Sequence, residues 1–404
     1  MKIKTLASMK ATDEIGDSNF NDSEFIGGVI YAATTYQVLR WHINGSRVQK
    51  DNSFGLGLHA RALEQWNGKL IIVCDDQLIM FDPTTNKTER APLKLPEKNL
   101  LSKRVKDNIW GKEVVLQEYE GNPHIWKKTK VVDNELYVIM QYSDTTVEDR
   151  NGKTLRRHDG YSIVCVYDLP SLALKKHYKL LFPSKPGRAH IFAISKPYMF
   201  YNYDSGGAVF RLNMTTGTTE RVALHSNSGL VCTSLAADEK HVYAFYGSDR
   251  DDGRVAIIGS KDFKLIETID IAKQVQQLSQ SIKEGYEKVL SEKGLRWMKD
   301  EDFKQHYGKE YNDNEIGGFI RATNGNGEYF CVMDADSASG FGSIAVATEL
   351  GVAPGFLWDI KTKKPKGYLF GIGETVVSRK IKVRLPYIIS TAFEHLHLWS
   401  VVEK

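Results

Sequence analysis

The chain has 404 residues, and its 42% hydrophobic content is sufficient for a full core in one large domain. Its 54 basic and 50 acidic residues give a net charge of +4, and this near balance argues against a surface that binds nucleic acid. The sequence has no run of 18 apolar residues and no apolar signal core in residues 1–8, so we expect no membrane association and a cytoplasmic location.

A short motif recurs seven times along the chain and leads to the prediction of the fold. In each copy an apolar strand runs into an aromatic or aliphatic residue, a small polar residue and, in most copies, a turn such as Asn44-Gly45-Ser46. The copies are Leu39–His42, Ile79–Asp82, Cys165–Asp168, Phe210–Asn213, Ala256–Gly259, Phe356–Asp359 and His397–Ser400. Four-stranded units repeated about every 40 to 45 residues are typical of β-propellers. We therefore predict an all-β fold, a seven-bladed β-propeller that forms a single domain over residues 1–404, with the motif at the end of the third strand of each blade.

In chain order, the predicted strands follow this pattern most clearly in the second, fourth and fifth units. The second unit has Ala60–Gln65, Leu70–Cys74, Gln77–Phe81 and Thr88–Leu93, and the third begins with Ile125–Val132 and Leu136–Tyr142. The fourth has Ile191–Ser195, Tyr198–Tyr203, Ala208–Leu212 and Thr218–Ala223. The fifth has Leu230–Leu235, Val242–Tyr246, Arg254–Ile258 and Leu265–Ile269, with a hairpin turn at Asp251-Asp252-Gly253. The sixth is predicted to begin with Gly318–Thr323 and Glu328–Met333, with the alternative that Ser343–Thr348 is a strand and shifts the register.

The last unit supplies three strands, Lys380–Arg384, Tyr387–Phe393 and His395–Val401, and no fourth. We expect residues 1–9, in which Lys2–Ser8 alternates between polar and apolar, to provide that strand and close the ring, because closure removes an exposed sheet edge. In this repeat pattern the chain resembles the WD40-like and YVTN-like propeller repeats over nearly its whole length, although only Trp358-Asp359 is a literal Trp-Asp pair. The resemblance implies the architecture and no particular activity.

Long connections interrupt the units at five places, which are Lys10–Glu24, Pro96–Pro123, Ser143–Gly160, Ala272–Ile316 and Asp334–Pro354. Each of them joins the fourth strand of one unit to the first of the next, or the second strand to the third within a unit. In a propeller both kinds of connection lie on the same face. We therefore predict that the insertions, including residues 96–123 and 272–316, decorate one face and that function is to be sought there.

The insertion Ala272–Ile316 is predicted to be helical. Apolar residues recur at steps of three or four at Ile271, Val275, Leu278, Ile282, Tyr286 and Val289. This helix ends near Gly294, and Leu295–Tyr311 forms a second segment. Two interpretations are open, a lid packed on the propeller and a helix pair that binds a partner. Its eight basic and nine acidic residues do not favour a membrane surface.

Two classes of function fit these features. The favoured one is a non-catalytic scaffold that binds a protein or peptide partner through the decorated face. The side chains expected to contact that partner are Trp110, Trp126, Arg156, Arg157, Trp297, Phe303 and Tyr307. The alternative is an enzyme, a hydrolase or lyase acting on a glycan or a small polar substrate at the channel mouth. It would use His59, His124 and His190, which stand directly before the first strands of three consecutive units, and Arg379, near the matching place in the last unit.

The remaining polar clusters and the cysteines predict no metal site and no cofactor. Asp249–Gly253 and Asp334–Ser337 lack the spaced ligands of a calcium loop and are interpreted as turns. Four cysteines each lie within an apolar strand run and are expected to be buried free thiols, namely Cys74, Cys165, Cys232 and Cys331.

Overall fold

The computed structural model describes residues 2–11, 19–106, 113–121, 123–142, 145–149, 154–157, 161–180, 189, 191–202, 207–224, 231–248, 251–270, 296–298, 319–321, 331–336, 341–346, 354–359, 362–370, 378–384, 386–392 and 395–402. Most of these residues lie in β-strands that pair into sheets. The prediction of an all-β fold is therefore confirmed.

Seven sheets in the described part of the chain each contain four strands in antiparallel succession, and we number them in chain order. Sheet 1 has Phe20–Ile26, Val29–Thr34, Gln37–Asn44 and Arg47–Lys50, with the short strand Leu56–Gly57 also paired to its third strand. Sheet 2 has Ala60–Trp66, Lys69–Cys74, Gln77–Asp82 and Lys87–Pro92. Sheet 3 has His124–Val132, Glu135–Tyr142, Tyr161–Asp168 and Ala173–Lys179. Sheet 4 has Phe192–Ser195, Tyr198–Asn202, Ala208–Asn213 and Thr219–Ala223.

The last three sheets contain the C-terminal strands and the first strand of the chain. Sheet 5 has Val231–Ala237, His241–Ser248, Asp251–Gly259 and Leu265–Asp270. Sheet 6 has Cys331–Asp336, Phe341–Val346, Pro354–Asp359 and Lys364–Phe370. Sheet 7 has Ser378–Arg384, Tyr387–Ala392, His395–Val402 and Lys2–Lys10. The strands predicted for the second, third, fourth, fifth and last units agree with these bounds to within three residues.

The small polar residue that ends a copy of the repeated motif fixes the turn after it. Asp82 accepts a hydrogen bond from the backbone N–H of Thr84 at 2.8 Å, and Asn213 accepts one from Thr215 at 2.9 Å. In sheet 3, Asp168 accepts a hydrogen bond from the backbone N–H of Ser171 at 3.2 Å. Bonds of this kind are the reason that Asp and Asn are favoured in turns. The sequence repeat therefore marks the connection between the third and fourth strands of these sheets.

The hydrophobic core lies in layers between neighbouring sheets. The apolar residue of the motif occupies these layers, with one copy in each of five buried clusters: Trp41, Phe81, Tyr167, Leu212 and Ile258. Burying one such side chain contributes about 1.5–3 kcal/mol. The polar residue of the motif thus stabilises the turn, and its apolar residue packs against the adjacent sheet.

The first strands of the sheets stand side by side. Each contacts the first strand of the next sheet, from sheet 1 to sheet 7, and the first strand of sheet 7 contacts that of sheet 1. Lys2–Lys10 pairs in antiparallel register with His395–Val402. Met9 is buried together with Leu398 in the core layer that also contains Trp41 of sheet 1. The two ends of the described chain therefore lie in one sheet.

The predicted connection Lys10–Glu24 is too long. Phe20–Ile26 is the first strand of sheet 1, although residues 21–24 are all polar. These side chains are buried and bond to neighbouring sheets, as with Asn21, whose amide donates to the carbonyl of Ala60 in sheet 2. Strand propensity alone does not anticipate a polar strand of this kind.

The sixth unit is also corrected. Its first two strands are Cys331–Asp336 and Phe341–Val346, close to the alternative register, rather than Gly318–Thr323 and Glu328–Met333. Asp334-Ala335-Asp336 is therefore a strand and not a turn, and the connection predicted over Asp334–Pro354 contains a strand. The pattern was obscured because Gly and Ser at positions 342 and 343 give the second strand a weak apolar signal.

Asp251-Asp252-Gly253 was predicted as a turn and begins the third strand of sheet 5 instead. Asp251 pairs with Ser248, so the hairpin ladder extends beyond the residues with turn propensity. Of the predicted turn Asp249–Gly253, residues 251–253 therefore lie in a strand, and residues 249 and 250 lie outside the described residues.

Two of the predicted insertions pair with each other and form a further four-stranded sheet, here called the insertion sheet. Its order is Glu113–Gly121, Asn99–Lys106, Thr145–Asp149 and Thr154–Arg157. The first two strands come from the connection between sheets 2 and 3, and the last two from the connection between the second and third strands of sheet 3. The central pairing is parallel, with Lys103 opposite Thr146. This parallel pair distinguishes the insertion sheet from sheets 1 to 7.

The predicted helical insertion Ala272–Ile316 lies outside the described residues except for Arg296–Met298. These three residues form a strand that pairs in parallel with Phe319–Arg321. Within the ranges that the structure describes, no helix is long and apolar enough to cross a membrane.

Glu135 connects sheets 3 and 4 at the end where the first and second strands join. Its carboxylate accepts hydrogen bonds from Lys175 and Tyr137, both in sheet 3, and forms an ion pair with Lys196 in the tight turn of sheet 4. Burial works against the charge of Glu135, but the hydrogen bonds from the two lysines and the tyrosine outweigh it and lower its pKa to about 2.

Replacing Glu135 with Gln should therefore reduce stability above pH 5 and flatten its acid dependence. A carboxylate whose pKa is depressed in the folded state stabilises the protein above its unfolded pKa, and this contribution is lost as the pH falls from about 5 to 2. We expect about 1–2 kcal/mol at neutral pH once solvent screening is included. Urea unfolding between pH 3 and pH 7 tests this, and equal pH slopes for Glu135→Gln and the native chain would contradict it.

Candidate functional site

The insertion sheet is attached to sheet 3 by a cluster of side chains at its base. Tyr142 and Tyr161 are paired across sheet 3, and their rings stack with centroids 5.1 Å apart and planes 4° from parallel. Tyr161 donates a hydrogen bond of 2.7 Å to the carboxylate of Glu97, and Tyr142 donates to the Glu97 carbonyl at 3.2 Å. The ammonium of Lys179 lies 3.8 Å above the centre of the Tyr161 ring.

This cluster, here called the tyrosine clamp, joins the two insertions where they leave the propeller sheets. Glu97 precedes the strand Asn99–Lys106, while Tyr142 and Tyr161 stand on either side of the second insertion. Burial, and then the Glu97 carboxylate, raise the pKa of Tyr161, so its hydroxyl remains a donor at neutral pH. The clamp thus fixes the base of the insertion sheet without any ionised tyrosine.

The structure describes the predicted contact residues only in part. Arg156 and Arg157 lie on the outer strand of the insertion sheet, opposite Thr146 and Thr145 respectively. Trp126 lies on the first strand of sheet 3. Trp297 lies on the strand Arg296–Met298, and Trp110, Phe303 and Tyr307 lie outside the described residues.

The structure describes the channel-mouth residues of the enzyme alternative only in part. His59 is exposed, and its Nδ1 lies 3.3 Å from a carboxylate oxygen of Asp75. Arg61 donates two hydrogen bonds of 2.8 Å to the same carboxylate. His124 is exposed at the start of sheet 3. The backbone of Arg379 lies in the first strand of sheet 7, and His190 lies outside the described residues.

The carboxylate beside His59 belongs to Asp75. Burial disfavours the charge of Asp75, but Arg61 and then His59 outweigh this and lower its pKa. A carboxylate neutralised by a bidentate guanidinium is a weak proton acceptor. The arrangement therefore suits an ion pair at the start of sheet 2 better than general base catalysis.

A buried charge cluster lies on the first strands of sheets 7, 1 and 2. Lys382, which is 8% exposed, contacts Glu24 at 3.1 Å and Asp22 at 3.7 Å, and also donates to the backbone carbonyl of Leu63. Arg384 contacts the same Glu24 oxygen at 3.3 Å. Burial opposes the charge of Lys382, but the neighbouring carboxylates outweigh it and raise its pKa.

The polar atoms of this cluster are used in bonds between sheets. Asp22 accepts a hydrogen bond of 2.8 Å from the backbone N–H of Leu63. Glu64 accepts one of 2.7 Å from the hydroxyl of Thr129, which links sheet 2 to sheet 3. Because each carboxylate is bonded to a neighbouring sheet, the cluster is better suited to holding sheets together than to binding a substrate.

Sequence reasoning missed this cluster. The available signal was the run of polar residues 21–24 beside the strand that contains Lys382 and Arg384. Recognising that run as a buried strand requires its partners, of which Lys382 lies more than 350 positions away in the chain. Only the three-dimensional contact identifies them.

The prediction of free thiols is confirmed for Cys74, Cys165 and Cys232, which are buried and unbridged. Burial raises the pKa of Cys74 to about 12, so it remains a thiol. Cys331 lies on the first strand of sheet 6. In the part of the chain covered by the structure, no group of three His, Cys, Asp or Glu side chains is placed to hold a metal ion.

Comparison with known proteins supports the propeller architecture. No family model matches the chain, and no curated protein matches it. The chain is similar to the WD40 domain of Pan2 from Neurospora crassa, with a TM-score of 0.52, 9% identity, and coverage of 100% of this chain and 96% of that one. It is also similar to the computationally designed Ika8 protein, with a TM-score of 0.49, 10% identity, and coverage of 95% and 97%. At this identity, the first likeness shows a WD40-like propeller fold and nothing about activity.

Replacing Lys382 with Met should destabilise the protein by about 3 kcal/mol or more, because buried carboxylates lose their cation. The matched control is Lys363→Met, which removes an exposed ion pair with Glu267 and should cost under about 1 kcal/mol. Adding Glu24→Gln to Lys382→Met should restore part of the loss. Urea unfolding followed by tryptophan fluorescence measures all four chains, and equal losses for the two lysine variants would contradict the prediction.

Proposed function

We propose that this chain is a seven-bladed propeller, closed by its N-terminal strand, that acts as a non-catalytic scaffold. It binds a protein or peptide partner through the end that carries the insertions. The observation that carries this proposal is the pairing of two separate insertions into one sheet, with Lys103 opposite Thr146.

The blade count and closure are supported by two features. The first strands of the seven sheets contact one another in series, and the series returns from sheet 7 to sheet 1. Lys2–Lys10 completes sheet 7 as its outer strand, as a closed propeller requires. The core layer between these two sheets contains Phe20 and Trp41 from sheet 1 and Leu396 from sheet 7.

The choice of the binding end rests on the difference between the two ends of the sheets. At one end the connections are tight turns, such as Asn67-Gly68 with positive φ at both residues, and Lys196 links one turn to the neighbouring sheet. The other end carries the insertion sheet and the tyrosine clamp. Rigidly positioned extra elements are a common place for recognition on a scaffold.

The non-catalytic assignment rests on the buried charge cluster. Its acids and bases are bonded to one another or to backbone groups of adjacent sheets, as Asp22 is to Leu63. An acid or base catalyst needs a pKa near the working pH and an open approach for substrate. Lys382 has neither, since it is buried and its pKa is raised.

We further propose that the insertion Ala272–Ile316 extends the same binding end, with Trp297 and Phe303 as aromatic contacts. The side chains of Trp126, Arg156 and Arg157 belong to the same proposed surface. Aromatic residues and arginine are the types most often found at the energetic centre of protein interfaces.

Removing the insertion sheet tests the proposal. Because Tyr142 and Tyr161 are direct partners in sheet 3, a two-residue Asn-Gly turn can replace residues 143–160, and a Gly-Ser linker can replace residues 99–121. We expect partners captured with the intact chain and quantified by mass spectrometry to fall by about tenfold or more, because the main contact surface is gone.

The matched control carries six Gly-Ser residues inserted between Thr216 and Gly217, in a turn at the opposite end of sheet 4. It should retain the partners. A third variant lacking Ala272–Ile316 tests that insertion by itself. Retention of all partners after loss of the insertion sheet, or equal loss in the control, would contradict the proposal.

A further inference from the structure

The outer strand of sheet 5 begins with two exposed apolar residues. Leu265 is 42% exposed and Ile266 is 54% exposed, and they are consecutive in the strand Leu265–Asp270. Among the side chains that the structure describes, Tyr36 is the one other large apolar residue that is exposed. Single exposed apolar residues are common on protein surfaces, whereas adjoining ones on one edge indicate a contact surface.

The outer strands of sheets 2 and 4 present charges instead. In sheet 2 the exposed side chains include Lys87, Glu89 and Arg90, and in sheet 4 they include Glu220 and Arg221. Charged side chains on an edge strand hinder its pairing with a further strand. The outer edge of sheet 5 is therefore better suited than these two to accept another strand.

The backbone of this strand has a hydrogen-bonding side to offer. Leu265–Asp270 pairs on one side with Asp251–Gly259, and within the described ranges no strand pairs with its other side. An edge strand directs a row of backbone N–H and C=O groups outward, and an added strand bonds to them. The exposed residues 264–267 at the start of this strand are here called the sheet 5 edge.

Opposite charges stand on the two sides of the apolar pair. Lys264 precedes it and Glu267 follows it, and both side chains are exposed. Within the residues that the structure describes, Lys264 forms no ion pair. The Oε2 atom of Glu267 binds Lys363 from the turn of sheet 6, and a carboxylate has a second oxygen that can accept from another ammonium. The sheet 5 edge therefore reads cation, apolar, apolar, anion.

A bulge brings the two charged residues to the same face of the strand. The ladder pairs Leu265 with Ile258 and Glu267 with the residue directly before Ile258, so Ile266 is an extra residue between two adjacent pairs. Adjacent pairs of a ladder lie on opposite faces, so Leu265 and Glu267 are on opposite faces. Lys264 directly precedes Leu265 and therefore shares the face of Glu267.

An antiparallel second copy of the sheet 5 edge is complementary to the first. When Leu265 of one copy lies opposite Leu265 of the other, Lys264 of each copy lies opposite Glu267 of the other, on the same face. The apolar residues then meet at a twofold axis, and an ion pair forms on either side of it. This is the self-complementary arrangement that a twofold dimer requires.

We propose that the chain forms a twofold dimer in which the sheet 5 edges of two copies pair as antiparallel strands. A strand of a different protein could use the same backbone groups, but the order of charges in residues 264–267 matches its own reverse and so favours a second copy. Because few residues take part, we expect a weak dimer, near the lower end of interface sizes. This inference goes beyond the proposed scaffold function and does not rest on it.

Sedimentation velocity of the full chain at about 5 to 200 µM tests the proposal. We expect the average mass to rise with concentration toward that of a dimer. Ile266→Lys places two like charges at the twofold axis and should weaken dimerisation by at least about tenfold. The matched control is Thr88→Lys, on the exposed outer strand of sheet 2 opposite the motif residue Phe81, and it should change the dissociation constant by less than about twofold.

Charge reversal tests whether the partner is a second copy. Lys264→Glu and Glu267→Lys should each weaken dimerisation, because each variant places like charges opposite one another. A mixture of the two variants restores both ion pairs between unlike copies. The mixture should therefore associate about fivefold more tightly than either variant alone.

A monomer at every concentration overturns the proposal, and the edge is then left to a strand of another protein. A dimer that Ile266→Lys leaves intact overturns it too, as does a mixture that associates no more tightly than its two components. Thermal melting verifies that the variants are folded. None of these outcomes decides the scaffold function, because the variants of the insertion sheet leave sheet 5 intact and are read out by partner capture.

Discussion

The structure depends on the contact between sheet 7, in which the first and last described strands pair, and sheet 1; this contact is here called the seam. There Lys2–Lys10 pairs with His395–Val402, and Lys382 reaches Glu24 in sheet 1 and the Leu63 carbonyl in sheet 2. The backbone ladder and the apolar layer supply the favourable free energy, whereas a buried ion pair loses about as much in desolvation as it gains from Coulombic attraction. We infer that the charge cluster mainly selects which sheets become neighbours, because misaligned sheets would leave several buried charges without partners.

The two ends of the strands in these sheets differ in their connections. Tight turns and ion pairs such as that of Glu135 with Lys196 hold one end, where little chain is left over for recognition. At the other end, two of the connections form the insertion sheet, which the tyrosine clamp joins to sheet 3. The proposed function would therefore use one set of connections for recognition, while the layers between sheets supply the stability.

Local sequence patterns predicted the elements whose stability is local. The strand Gln77–Asp82 is predictable because its apolar run is typical of a buried strand. Its last residue, Asp82, is typical of the turn that follows. Phe20–Ile26 was missed because its polar residues are stabilised by partners from distant parts of the chain, such as Lys382. The insertion sheet was foreseen only as two separate connections, since the pairing of Lys103 with Thr146 is a tertiary contact.

Disulfide trapping across the seam tests the closure most directly. Lys4 and Ser400 are directly opposite in the paired first and last strands, and opposite residues in antiparallel strands have Cα atoms about 4.5–5.5 Å apart, within the range of a disulfide. Lys4→Cys combined with Ser400→Cys should form an intrachain disulfide under mild oxidation and raise the melting temperature. The control pair Lys87→Cys and Ser400→Cys, in sheets 2 and 7, should not cross-link. Absence of the Lys4–Ser400 cross-link in the folded protein would contradict a ring closed by the N-terminal strand.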